Sequence, residues 1–271
     1  MKVTVIRRLK GFAKQHRSTK RVSLWLMRTL APVFQIINVL AIPRYMTFLG
    51  DWLRFRKAGG VARVLDFYPC LNDRTTTTGI DTHYFNQAIW AFRRIMSSGV
   101  RMHVDVGSDV RFVGLLTTVT NVTFVDIRPP EIELAGLVCR NGSILSLPFG
   151  DKSVSSLSSM HVIEHIGLGR YGDPIDPYGS IKAGKELTRV LAPGGKLYLT
   201  APIGESRVQF NSQRVFSVTE VINMFSGLRL TEFAIVDTDG VYRENVDPAS
   251  VKLRENTGQD CGLGLFVFQP A

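Results

Sequence analysis

The chain places two imidazoles and a carboxylate within five residues, as His161, Glu164 and His165 in the stretch HVIEH. Such a set can move protons, and HxxEH is also the inverted zinc-peptidase pattern. Zinc needs both histidines one helical turn apart and a third protein ligand. The preceding SVSSLSSM reads as a strand, which puts His161 at a strand end. The expectation is therefore no metal and a general base that takes the proton from an acceptor hydroxyl. The same side chains also suit capping of the next helix, with Glu164 and His165 lining a cleft without titrating.

Two acids stand where a nucleoside could be held. Asp105 ends the segment HVDV and Gly107 begins a turn that lets a ligand approach the backbone. About twenty residues on, Asp126 in FVDIRP can accept hydrogen bonds from ribose hydroxyls. Further along, GLGRYGDPIDPYG between Gly167 and Gly179 holds too many Gly and Pro residues for a helix and suggests a shaped loop over the site. Within it Arg170, Tyr171, Asp173 and Asp176 are candidates to bind a polar acceptor such as a sugar, and FNSQRVFS adds Asn211, Gln213 and Arg214. The two Asp-Pro pairs serve equally well as turn openers.

The elements that must carry these residues alternate. RMHVDVGSD, NVTFVDIRP, SILSL, VSSLSSMHV and GKLYLTAPIG read as strands, with crossover helices expected over Val110 to Val119, Glu131 to Val138 and Ile181 to Leu191. LRLTEFAIVD and CGLGLFVFQ follow without an intervening helical pattern, which implies an antiparallel finish. Upstream, Val61 to Phe67 alternates like a strand, and a helix runs from an Asp81 cap to Gly99. In such a sheet ligands lie beyond the carboxyl ends of the strands, where strand order reverses.

The ordered series LPFGDKSVSSLSSMHVIEHIG and ELTRVLAPGGKLYLTAPIG resembles the second half of class I S-adenosylmethionine-dependent methyltransferases. YPCLND, DTHYFNQAIWAFRRI, HVDVGSD, FVDIRP, SMHVIEHIGLGRYGDPIDPYG, FNSQRVFS and CGLGLF further resemble an uncharacterised methyltransferase-like family known only as a domain of unknown function. The resemblance implies a Rossmann-like fold, a mostly parallel seven-stranded sheet with an antiparallel C-terminal strand, and S-adenosylmethionine as cofactor. It places the cofactor on Asp105, Gly107, Ser108, Asp126, Ser143, Leu147 and Met160, with His161, Glu164 and His165 beside the transferred methyl. Two departures stand out. Asp109 and Arg111 replace later glycines of the usual first loop, and Ser143 stands where an acid often holds the adenine amino group. They motivate an alternative, a catalytically inactive binding or scaffold protein in surface-polysaccharide assembly.

Charge is divided unevenly. Residues 1–60 hold 13 of the 33 Lys and Arg but one of the 23 Asp and Glu, a balance of +12 against −2 for the rest. The main domain, taken as 61–271, therefore lacks the basic face that nucleic acid requires. The N-terminal segment is basic and apolar, yet its uncharged window runs only from Thr29 to Pro43, short of the roughly 20 residues of a bilayer span. A helical extension lying on an anionic membrane surface, or packed against protein, is the expectation. Three isolated cysteines, Cys70, Cys139 and Cys261, imply a reducing compartment, and together with the N-terminal segment the expectation is a cytoplasmic protein at the membrane periphery.

Overall fold

The computed structural model describes residues 42–71, 73–251 and 261–271. Most of the basic, apolar N-terminal stretch, from Lys2 through Leu40, lies outside the described residues. The chain divides into two compact units, Met1–Ile80 and Asp81–Ala271. In the first, helix α1 (Ile42–Lys57) ends in a turn where Gly60 N–H donates to Phe55 O at 3.0 Å. The strand expected over Val61 to Phe67 does not form. Val61 and Leu65 are more than nine-tenths exposed, Val64–Asp66 makes a 3₁₀ turn, and Phe67 packs edge-on against Phe48 and Trp52 of α1. Its alternation had no partner strand to satisfy it.

The second unit opens with α2 (Thr82–Ser98). Asp81 caps it, its carboxylate accepting from the N–H groups of His83 and Tyr84, and Gly99 closes it at φ 64°. Gln87, Trp90, Ala91 and Ile95 recur at helical spacing and form its buried face. Next come β1 (Met102–Val106), α3 (Val110–Leu116), β2 (Asn121–Asp126), β3 (Leu137–Asn141), β4 (Val154–Met160), α4 (Gly179–Val190) and β5 (Leu191–Ile203). A small hairpin, β6 (Arg207–Gln209) with β7 (Gln213–Val215), precedes α5 (Val218–Met224), β8 (Leu228–Val236), β9 (Tyr242–Arg243) and β10 (Gly262–Pro270).

The main sheet has eight strands in the order β3-β2-β1-β4-β5-β10-β8-β9. Strands β1 to β5 are parallel, and β10 runs antiparallel between β5 and β8. This is the Rossmann-like class I methyltransferase architecture expected above, with the two-residue β9 as an added edge strand. Helices cover both faces. Ala183, Leu187, Val190, Val221 and Phe225 pack on one, Trp90, Ala91, Ile95, Phe112, Val113 and Leu116 on the other. Each fully buried Val, Leu, Ile or Phe among them contributes about 1.5–3 kcal/mol.

Two expected elements moved. Glu131 to Val138 is not a helix: Gly136 takes φ 79°, and Ile132 and Leu134 remain exposed with no face to bury them. The third strand is consequently LVCRN rather than SILSL, which turns back on itself through Ser146 N–H to Ser143 O at 2.9 Å. Among the described residues no helix is long and apolar enough to cross a membrane.

Candidate functional site at the carboxyl ends of the first, second and fourth strands

Strand order reverses between β1 and β4, which pair through Val104 with Leu157 and Asp105 with Ser158. Asp105 is fully buried there. Its Oδ1 accepts from Ser108 N–H at 3.1 Å, and its Oδ2 accepts from the hydroxyls of Ser108 at 2.8 Å and of Ser158. Ser158 having given its proton to Asp105, its oxygen accepts from His103 Nε2–H at 2.8 Å, and His103 Nδ1 accepts from the Ser156 hydroxyl at 2.7 Å. Burial pushes the Asp105 carboxyl up to about 6 and the His103 imidazole down to about 3. Asp105 thus shapes the turn after β1 from the inside, helped by Met160 N–H, which donates to Ser108 Oγ at 3.0 Å. The Met160 side chain is itself buried in the core among residues such as Trp90 and Tyr198.

Gly107 is required by that turn. It sits at φ 72°, and a Cβ there would meet Val162 Cγ1 at 3.1 Å and lie 3.7 Å from Asp126 Oδ2. Asp126, at the end of β2, accepts from Arg128 N–H through Oδ1 at 2.7 Å. Bare backbone and an acid therefore face each other across adjacent strand ends. Asp109 and Arg111, which replace the later glycines, pair with each other. Asp109 caps α3 and holds the Arg111 guanidinium at 2.6 Å, and the Arg111 side chain is 83% exposed. Ser143 spends its oxygen as an acceptor for Leu145 N–H, while Leu147 is buried in the core and its N–H donates to Glu186.

His161 follows β4 at φ 57°. Its Nδ1 lies 2.6 Å from Glu164 Oε1, in hydrogen-bonding contact. Among the described residues, His161 Nε2 and Glu164 Oε2 are both buried with no hydrogen-bonding partner. The first turn of α2 stacks on this imidazole, with Tyr84 at 5.1 Å and His83 at 6.0 Å between ring centroids. Burial, then the charge of His161, lowers His83 to about 4; burial, then Glu164, raises Tyr84. His165 Nδ1–H donates to Ser212 O at 2.8 Å, its Nε2 lies 3.8 Å from Glu164 Oε1, and burial lowers its pKa. Among the described residues no three His, Cys, Asp or Glu side chains form a group able to hold a metal ion.

The loop from Gly167 to Gly179 separates the expected acceptor-binding residues. Arg170 donates to Ser212 O at 3.0 Å and lies over the Tyr171 ring, which meets the His165 ring edge-on at 5.6 Å. Asp173 is spent on the N–H groups of Gly167 and Tyr171, and Asp176 on Tyr178 N–H and Lys182 Nζ. Arg214 is buried and donates to Ile166 O, Asp176 O, Pro177 O and Ser180 Oγ, so it fastens the loop. Asn211 is exposed on the β6–β7 hairpin. His83, Tyr84, His103, Ser158 and Arg128 were not expected as site residues. The stretches DTHYFNQ, HVDVGSD and FVDIRP hold four of them, and only the type of each residue could have singled it out.

Residues 146–256 match the family model described as "Caenorhabditis protein of unknown function, DUF268". No curated protein matches the chain. Among solved structures, the N-methyltransferase NodS of Bradyrhizobium japonicum with S-adenosylhomocysteine is 16% identical, with 75% of this chain and 92% of that chain covered and a TM-score of 0.49. The [4+2]-cyclase SpnF is 14% identical over 83% and 94%, with a TM-score of 0.49. The YcgJ protein of Bacillus subtilis is 15% identical over 68% and 99%, with a TM-score of 0.44. The architecture rests on the strand order given above.

Proposed function

We propose that the chain is an S-adenosylmethionine-dependent methyltransferase that methylates an oxygen of a polar acceptor such as a glycan or lipid-linked sugar. What supports the reading is one arrangement: the bare turn at Gly107 faces Asp126, and Val162 beside that turn joins it to the His161–Glu164 pair with its two unpartnered polar atoms. Asp126 would hold the ribose hydroxyls, and Asp105 and Ser108 keep the turn in shape. S-adenosylmethionine, when bound, supplies a methyl group activated by its sulfonium. His161, oriented by Glu164 and packed under Tyr84, accepts the proton of the acceptor hydroxyl at Nε2. Closely packed rings exclude water and fix the line of approach.

Calorimetry with S-adenosylhomocysteine tests this. Micromolar binding is expected, weakened at least tenfold by Asp126→Ala, and no binding to the unaltered protein leaves the inactive scaffold as the reading. The basic segment over residues 1–60 is read as a contact with anionic membrane, in keeping with Met46, Leu53 and Phe55 exposed on α1 beside Arg54, Arg56 and Lys57. Flotation with anionic liposomes that is equal for the full chain and for one starting at residue 61 removes that contact.

A further inference from the structure

We infer that Arg128 and Arg170, gathered on the ring of Tyr171, bind an oxyanion carried by the acceptor, so that the methylated substrate is an acidic molecule rather than a neutral one. This deepens the methyltransferase reading and rests on it for the role of the ligand. The guanidinium carbons lie 4.6 Å and 5.0 Å from the Tyr171 ring centroid and come from loops that leave two different strands, β2 and β4. Both side chains belong to exposed residues.

Four other arginines of this unit have carboxylate partners, which these two lack among the described residues. Arg94 has Glu232 and Glu244, Arg189 has Glu186 and Asp151, Arg111 has Asp109, and Arg243 has Asp237. Among the described residues no carboxylate pairs with the guanidinium of Arg128 or Arg170. The neighbouring acids are committed elsewhere: Asp173 to backbone N–H groups, Asp176 to Lys182, and Asp126 to the backbone of Arg128. Two like charges gathered on one aromatic ring favour an anion as their common partner, and guanidinium forks suit the paired oxygens of a phosphate or carboxylate.

The position fits an acceptor. Tyr171 touches His165, whose Nε2 lies 3.8 Å from Glu164, and Glu164 orients His161. An anion on Tyr171 therefore anchors one end of a molecule whose hydroxyl reaches the proton-accepting imidazole.

The test is calorimetry on the full chain with inorganic phosphate and with malonate, each with and without saturating S-adenosylhomocysteine. Millimolar binding of one or both anions is expected in either condition. Arg128→Ala and Arg170→Ala should each weaken it at least tenfold, and the double variant should abolish it. Arg101→Ala, remote from Tyr171, should leave it unchanged. Phosphate alone identifies a phosphorylated acceptor, malonate alone or both a carboxylate-tolerant one. Absent binding, undiminished binding in the double variant, or displacement by S-adenosylhomocysteine overturns the inference. Because the nucleoside titration is read separately, a protein that binds it but ignores both anions loses only this proposal. A protein that ignores the nucleoside loses the methyltransferase reading instead.

Discussion

At the scale of single residues, the site is organised by the hydrogen-bonded His161–Glu164 pair, whose Nε2 and Oε2 have no partner among the described residues. His161→Ala removes the ring that Glu164 orients, and in an assay with an acceptor it should lower kcat by about 10² to 10⁴ while leaving the binding of S-adenosylhomocysteine within a factor of about three. Full activity would end the proton-accepting role. Glu164→Gln keeps the shape and loses the charge, so its effect should fall on kcat rather than KM. Gly107→Ala acts differently: at φ 72° with Val162 Cγ1 3.1 Å away, the added methyl strains the turn, costing about 1–3 kcal/mol in urea melts and most of the cofactor affinity. HVIEH, the Asp105–Gly107 turn and Asp126 could be read directly, since each is a short run of chemically distinctive residues. The partners of His161 could not. His83 and Tyr84 reach it only through the docking of α2 on the sheet, some eighty residues away in sequence, and the His103–Ser158 support of Asp105 needs the register of β1 on β4.

Elements were legible where local pattern and packing agree. The helical period of α2 comes with an Asp cap and a closing Gly, and β1, β2, β4, β5 and β10 are largely buried strands of the sheet. The third strand was misplaced because Leu137–Asn141 is half-exposed at the sheet edge and carries no strong apolar signal. The loop over the site is held by contacts that no spacing reveals. A Cβ on Gly167 would sit 2.0 Å from Asp176 O, one on Gly179 2.7 Å from Ile166 O, and Arg214 ties both stretches from below. Arg214→Ala strands these carbonyl groups. Urea unfolding should show a loss of about 2–4 kcal/mol, and limited proteolysis should gain a cut between Ile166 and Ser180. Unchanged stability would mean that the loop closes without its clamp.

For the whole molecule, buried titrating groups set the response to acid. His83 and His103, at about 4 and about 3, and His165, also lowered, take up protons on unfolding once the pH drops below about 6.5, so stability falls in that direction. Asp105, raised to about 6, acts oppositely: its contribution is present at low pH and is lost as the pH rises from about 4 to about 6. Three histidines outweigh one acid, and the melting temperature should drop by several degrees between pH 7.5 and pH 5. Asp105→Asn removes the opposing contribution and should widen that drop; a narrower one would contradict the assignment of the buried carboxyl.

The first turn of α2 also fixes where this chain can be cut. Asp81 begins the second compact unit, anchors the helix start, and sets the rotation that lays Tyr84 on the His161 ring. One extra residue inserted between Asp81 and His83 would turn that face by about 100° about the helix axis. A sheet assembled normally would then carry an uncovered imidazole. Expression fragments and fusion junctions must therefore leave Asp81 and the residues just before it intact, or they will yield a well-folded protein whose His161 ring has lost its cover.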